Sequence, residues 1–115
     1  MEEKPLLWRG SSLEDLKDDN IFTPAARREA GFQLGRVQFG LDPDDWRPFD
    51  TVGAGTKEIR ISLDNGWFRV MYVAKFPEAV YVLHCFKKKT TETTQHDKDL
   101  AAKRYKGLVL ERRRK

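Results

Sequence analysis

The segment Asp64-Asn65-Gly66 admits little besides a β-hairpin, because Asn and Gly tolerate the positive φ that a two-residue turn demands. Before it, Ile59, Ile61 and Leu63 alternate with Glu58, Arg60 and Ser62, which predicts a strand with one apolar and one polar face. After it, Trp67 to Phe76 reads as a second strand. Pro77-Glu78 then turns the chain into a third strand, Ala79 to Lys87. Both of these later strands are apolar on both faces, as central strands are.

Upstream of the hairpin the period is 3.6. Ala26, Ala30, Leu34 and Val37 recur at steps of four and three, with Phe39 at the end, and form one apolar stripe. Thr23 is placed to cap this helix, Pro24 suits its first turn and Gly40 suits its end. A shorter helix is expected after Ser11 or Ser12, with Leu13 and Leu16 on one face. Lys4 to Arg9 reads as a first strand and residues 41–56 as a loop. A last helix opens at Thr94, with Asp97 three residues on, and carries Leu100, Ala101, Tyr105 and Leu108. The order strand, two helices, three-stranded meander, helix predicts an α+β fold. Its antiparallel sheet would carry the helices on one face and leave the other open.

The 115 residues suit one domain, here residues 1–110 with a basic tail at 111–115. A single cysteine, Cys85, excludes an internal disulfide, and no apolar run reaches the length of a membrane span. The acidic start, Met1-Glu2-Glu3-Lys4, is unlike a secretion signal, so a cytoplasmic location is expected. Charge is divided unevenly. Residues 1–56 carry 7 Lys/Arg against 11 Asp/Glu, whereas residues 57–115 carry 15 against 7. A basic half of this kind fits contact with a polyanion such as a nucleic acid.

Strand parity gathers the chemistry. If Ile59 and Ile61 face the helices, Glu58 and Arg60 face away. Arg69 interrupts an otherwise apolar central strand, so it either pairs with Glu58 across the hairpin or grips a phosphate on the open face. If that face is solvated, folding does not need Arg69. Lys87-Lys88-Lys89 and Thr90-Thr91 follow the third strand. Clustered lysines depress one another's pKa, so one of them could serve as a general base. His84 lies in an apolar strand, where a satisfied buried histidine is the plainer reading. His96 falls in the first turn of the last helix, where it could be an acid or base. Two histidines so far apart make no case for catalytic zinc, and serine-hydrolase and phosphate-loop signatures are missing. No cofactor is expected.

The ordered set Gly53-x-Gly55, Glu58-Ile59-Arg60, Gly66, Phe68-Arg69-Val70, Tyr72, Val82-Leu83-His84-x-Phe86-x-Lys88-Lys89-Thr90 and Ala101-x-x-Arg104 resembles the RelE/HigB toxin superfamily. The likeness is greatest to its phage-derived, Gp49-like HigB branch. The resemblance implies a curved antiparallel sheet with a concave basic face that enters the ribosomal A site and cleaves messenger RNA without metal. The ribose 2′-hydroxyl would attack the adjacent phosphate. By the same resemblance Arg60, Arg69 and Lys88 fall at basic catalytic positions, whereas Glu58 stands where some relatives carry a lysine. The residues themselves add Lys57, Lys87 and Lys89 as candidates for binding RNA phosphates and Glu58, His84 or His96 as candidate proton carriers. The stacking tyrosine that such toxins often carry after the fourth strand is missing from residues 90–94. A cognate antitoxin with a HigA-like helix-turn-helix domain is implied, acting either over Arg60, Arg69 and Lys88 or, the preferred route, at the helical face. The alternatives are a ParE-like toxin that inhibits DNA gyrase without catalysis and a phage-related nucleic-acid-binding protein.

Overall fold

In a computed structural model, which describes residues 2–90 and 92–114, the chain is α+β. Thr91, after the lysine run, and Lys115, in the basic tail, lie outside the described residues, as does Met1. The elements are β1 (Leu6–Trp8), α1 (Ser12–Lys17), α2 (Pro24–Gln38), β2 (Trp46–Pro48), β3 (Thr56–Leu63), β4 (Gly66–Val73), β5 (Val80–Lys88) and α3 (Gln95–Arg113).

The sheet has the order β1-β5-β4-β3-β2. Its core is the antiparallel meander β3-β4-β5. The β3–β4 turn has positive φ at both Asp64 (52°) and Asn65 (60°), the backbone that matches strand twist in a two-residue hairpin. The sheet is mixed rather than wholly antiparallel, because β1 joins β5 in parallel, Leu6 beside Val80. An edge strand read from side-chain alternation alone carries no mark of its partner's direction. At the other edge β2 pairs antiparallel with β3, in what the sequence presented as loop.

Both faces are covered. Ile59, Ile61, Phe68, Val70, Tyr72 and Val82 pack against Leu16 of α1, Phe22 and the α2 stripe Ala26, Ala30, Leu34 and Val37. Thr23 caps α2 by accepting a hydrogen bond from the Ala26 amide at 3.1 Å, and Gly40, at φ 82°, lets the chain leave it. Phe39, expected at the end of the stripe, is 47% exposed. Burying each large side chain of such a layer contributes about 1.5–3 kcal/mol.

On the opposite face Met71, Val73, Tyr81, Leu83 and Phe86 pack against Val52 and against Ala101 and Leu108 of α3. The helices therefore do not share one face. α3 is anchored by Arg104 Nη1, which donates to the Leu83 carbonyl at 2.9 Å, and by the ion pair Arg9–Glu111 at 2.7 Å. Its cap at Thr94 is as the sequence predicts, the Thr94 hydroxyl oxygen accepting from the Asp97 amide at 3.2 Å.

A β-bulge in β5 sets the site. Val73 pairs with Tyr81 and Tyr72 with Val82, yet Met71 pairs with His84. Leu83 is thus the extra residue, and side-chain parity shifts after it. His84, Phe86 and Lys88 thereby share the α3 face with Met71, Arg69 and Trp67, while Cys85 turns to the α2 side.

Candidate nucleic-acid interface

Cross-strand register brings the charged residues together. Arg47 of β2 pairs with Glu58 of β3, Arg60 with Arg69 of β4, and Trp67 with Lys88 of β5. Paired residues point to the same side, so Arg47, Arg60, Arg69 and Lys88 form a set of four cations around Glu58 on one sheet face. Arg47 is exposed, and Arg60 and Trp67 are half-buried at the rim.

The floor of the cluster is not open. Glu58 and Arg69 are buried, and the Arg69 guanidinium Nε stands 3.6 Å from Glu58 Oε1. The cross-hairpin ion pair weighed from sequence is therefore present, and Arg69 does not stand on a solvated face. The Thr93 hydroxyl donates to Glu58 Oε2 at 2.5 Å, placing the chain before α3 over the cluster. Burial raises the Glu58 carboxyl above its ordinary value, against the opposing pull of the Thr93 hydrogen bond and of Arg69, Lys88 and Arg47. Burial likewise lowers the Arg69 guanidinium, opposed by Glu58 and reinforced by Arg60.

Lys88 is buried, and its Nζ has no hydrogen-bond partner among the described residues. Desolvation lowers its pKa first of all, with Glu58 and Asp97 pulling upward and Arg69 and Arg60 downward. An ammonium held in this way is a cation available to an incoming anion. His84 is buried as the plainer reading has it. Its Nε2 stands 2.9 Å from Asp97 Oδ1, and its ring stacks on Phe86 at 4.4 Å. With the proton on Nε2, His84 donates to Asp97, which also accepts from the Thr94 hydroxyl at 2.8 Å. The second ring nitrogen, Nδ1, is buried without a hydrogen-bond partner among the described residues.

The remaining sequence candidates lie elsewhere. Lys57 has the opposite parity; its Nζ is 2.8 Å from Asp42 Oδ1 and 4.3 Å from the centre of the Trp46 ring. Lys87 lies over Phe68 on the α2 side, with Nζ 5.6 Å from the ring centre. Lys89 and His96 are exposed, beyond the end of β5 and in the first turn of α3. Consecutive strand residues alternate, so the lysine run could not act as one patch. Sequence reasoning missed Arg47, Thr93 and the pairing role of Asp97. Arg47 sits in a three-residue strand ending in proline, whose only strand-like cue is the neighbouring Trp46. Among the described residues no three His, Cys, Asp or Glu side chains are grouped as metal ligands, and no helix is long and apolar enough to cross a membrane.

The family model for phage-derived Gp49-like proteins (DUF891) matches residues 16–106, which include every residue of this cluster. The chain belongs to the Gp49-like family. This is a RelE/HigB-like toxin family, and the five-stranded α+β sheet with three helices is consistent with a RelE-like fold. No curated protein and no solved structure matches the chain. Membership in a toxin-like family implies an antitoxin partner in general terms.

Proposed function

We propose that this Gp49-like protein is the toxin of a type II toxin–antitoxin pair. In this reading it is a cytoplasmic, metal-independent endoribonuclease of the HigB branch that cuts messenger RNA in the ribosomal A site. The observation that carries this is the convergence of Arg47, Arg60, Arg69 and Lys88 on one sheet face around a single buried carboxylate, Glu58. Attack of a ribose 2′-hydroxyl on the neighbouring phosphorus adds negative charge to the phosphate oxygens, and fixed cations in a water-poor site stabilise that charge. Arg47 and Arg60 receive the RNA at the rim, Lys88 and Arg69 stabilise the phosphorane from the floor, and Glu58 is the base for the 2′-hydroxyl. Trp67 at the rim offers an aromatic face to a base in the absence of a tyrosine after β5. His84, held by Asp97, is the proton carrier nearest the floor, and exposed His96 is a secondary candidate. Substrate access requires the Thr93–Glu58 hydrogen bond to open. The cognate antitoxin, of HigA-like helix-turn-helix type, keeps the enzyme silent.

One observation favours the ParE-like alternative. The Glu58–Arg69 pair is as secluded as a structural ion pair, and a protein that poisons gyrase needs no reachable phosphate site. A translation extract programmed with a defined messenger decides between them. The nuclease reading expects A-site cleavage with 2′,3′-cyclic phosphate ends, undiminished by EDTA once ribosomes are protected from magnesium loss. Intact messenger together with gyrase-dependent DNA breaks would overturn it.

A further inference from the structure

A second site lies on the opposite side of the sheet from the cationic cluster. Between the C-terminal end of α2 and the edge of the meander is a cavity of about 290 Å³, lined among others by Lys4, Val37, Leu41, Asp42, Lys57 and Tyr72. Its polar groups are unevenly matched. Lys57 Nζ meets Asp42 at 2.8 Å, and Lys4 Nζ donates one hydrogen bond, to the Ala74 carbonyl at 2.6 Å. The stem of Lys75 lies along Gly55 at the same cavity. Asp42 is the only acid against these three lysines among the lining residues.

The Tyr72 side chain is the second observation. The residue is 1% exposed and lines the cavity, and its hydroxyl makes no hydrogen bond to any described residue. Burial, with Asp42 nearby, pushes its pKa upward, so it remains a proton donor at every physiological pH. The hydroxyl is not sealed from solvent; it opens onto the cavity as a donor that water or a ligand oxygen can meet. Leu41, among the lining residues, is 53% exposed, an apolar rim beside a cationic interior.

We infer that this cavity is a docking site for an acidic peptide segment. One carboxylate accepts from the Tyr72 hydroxyl between Lys4 and Lys57, and a neighbouring apolar side chain covers Leu41. The charge balance of the lining selects against a basic segment, and the apolar rim selects for more than a free anion. The occupant is a segment of the cognate antitoxin. That identity rests on the toxin reading above, whereas the acidic-peptide site does not. The site sits at the end of α2 and away from Arg60, Arg69 and Lys88, so an antitoxin held there would restrain the toxin without covering its catalytic face.

The test titrates Ac-Leu-Glu-Glu-Leu-NH2 and its Gln-Gln counterpart into 15N-labelled full-length protein, wild type and Tyr72→Phe. The phenylalanine variant keeps the ring and its packing, and a matching amide spectrum verifies its fold. Expected are shifts centred on Val37, Gly40, Leu41 and Ala74 with the acidic peptide, at least roughly 10-fold weaker binding of the Gln-Gln peptide, and a similar weakening in Tyr72→Phe. Shifts confined to the Arg47–Arg60 face, equal binding of both peptides, or no shifts at millimolar peptide would overturn the site. Binding here by a protein that neither cleaves messenger RNA nor arrests growth would leave the site standing and remove the antitoxin as its occupant.

Discussion

Arg69 Nε stands 3.6 Å from Glu58 Oε1 in the middle of the sheet, with the two side chains 1% and 2% exposed. Removing one member of a buried pair leaves the other as an uncompensated charge, which costs about 3–5 kcal/mol. Arg69→Ala is therefore expected to lower stability by that order in urea denaturation, contrary to the sequence expectation that folding does not need this residue. The double variant Glu58→Leu, Arg69→Met removes both charges together and is expected to recover most of the loss. An Arg69→Ala protein as stable as wild type would show that the pair is not dry. Loss of toxicity in this variant alone says nothing about catalysis, so Arg60→Ala and Arg47→Ala, at less buried positions, are the better probes.

Thr93→Val is expected to alter pH dependence in a definite direction. Glu58 binds its proton more tightly in the folded chain than at the ordinary carboxylate value of 4.5. Stability therefore falls as pH rises from about 4.5 through the raised value, then levels off. The Thr93 hydroxyl works against this by stabilising the carboxylate. Without it the window of falling stability extends to higher pH, with about 1.5–3 kcal/mol lost where Glu58 is ionised. If Glu58 is the base, the acidic limb of the kcat/KM profile, which reports the free enzyme, shifts upward by the same cause. A kcat/KM limb that stays in place in Thr93→Val removes Glu58 from that role.

Asp97→Asn is expected to show the opposite sign. Burial pushes the Asp97 carboxyl up, but the hydrogen bonds from His84 and Thr94 and the charges of His84 and His96 outweigh it, leaving the pKa below 3.8. The stabilisation is present above that value and is lost as pH falls through the depressed one. Denaturation of wild type and Asp97→Asn across pH 2–7 should give a difference that is constant above about pH 4 and closes below it. A constant difference down to the lowest pH would mean that the carboxylate charge contributes nothing.

How much of this was legible depends on the reach of each signal. Local features were read well. The hairpin turn, the Thr23 and Thr94 caps and the α2 stripe are each specified within a few residues, although the positive φ falls on Asp64 and Asn65 rather than on Asn65 and Gly66. The pairing of Glu58 with Arg69 followed from parity across a hairpin of known register. Features set by distant partners were not legible. The parallel pairing of β1, the three-residue β2 and the extra residue Leu83 leave no mark on local periodicity. One clue was present and misassigned. β4 and β5 are apolar on both faces, which requires cover on both, and α3 supplies the second cover where an open face was expected. The lysine run was over-read for a related reason, since alternation sends Lys87 and Lys88 to opposite faces.

Lys88→Met separates stability from function most sharply. The Lys88 ammonium is buried without a hydrogen-bond partner among the described residues, and desolvation is the largest influence on it. Methionine keeps much of the unbranched stem and removes a desolvated ammonium that lacks a hydrogen-bond partner among the described residues, a change that relieves about 1–3 kcal/mol of desolvation penalty. Part of that gain is offset because Glu58 loses one favourable charge, although Arg69 and Thr93 remain beside it. The melting temperature is therefore expected to hold or rise. Cleavage is expected to fall roughly 100- to 1000-fold, the effect of removing one preorganised group from a developing oxyanion. Lys87→Met is the control, because that side chain lies over Phe68 on the far side of the sheet and should leave cleavage unchanged. Thermal melts and single-turnover cleavage on the same preparations read both effects. A Lys88→Met protein that cleaves like wild type, or a Lys87→Met protein equally impaired, would contradict the assignment of the phosphate site to this face.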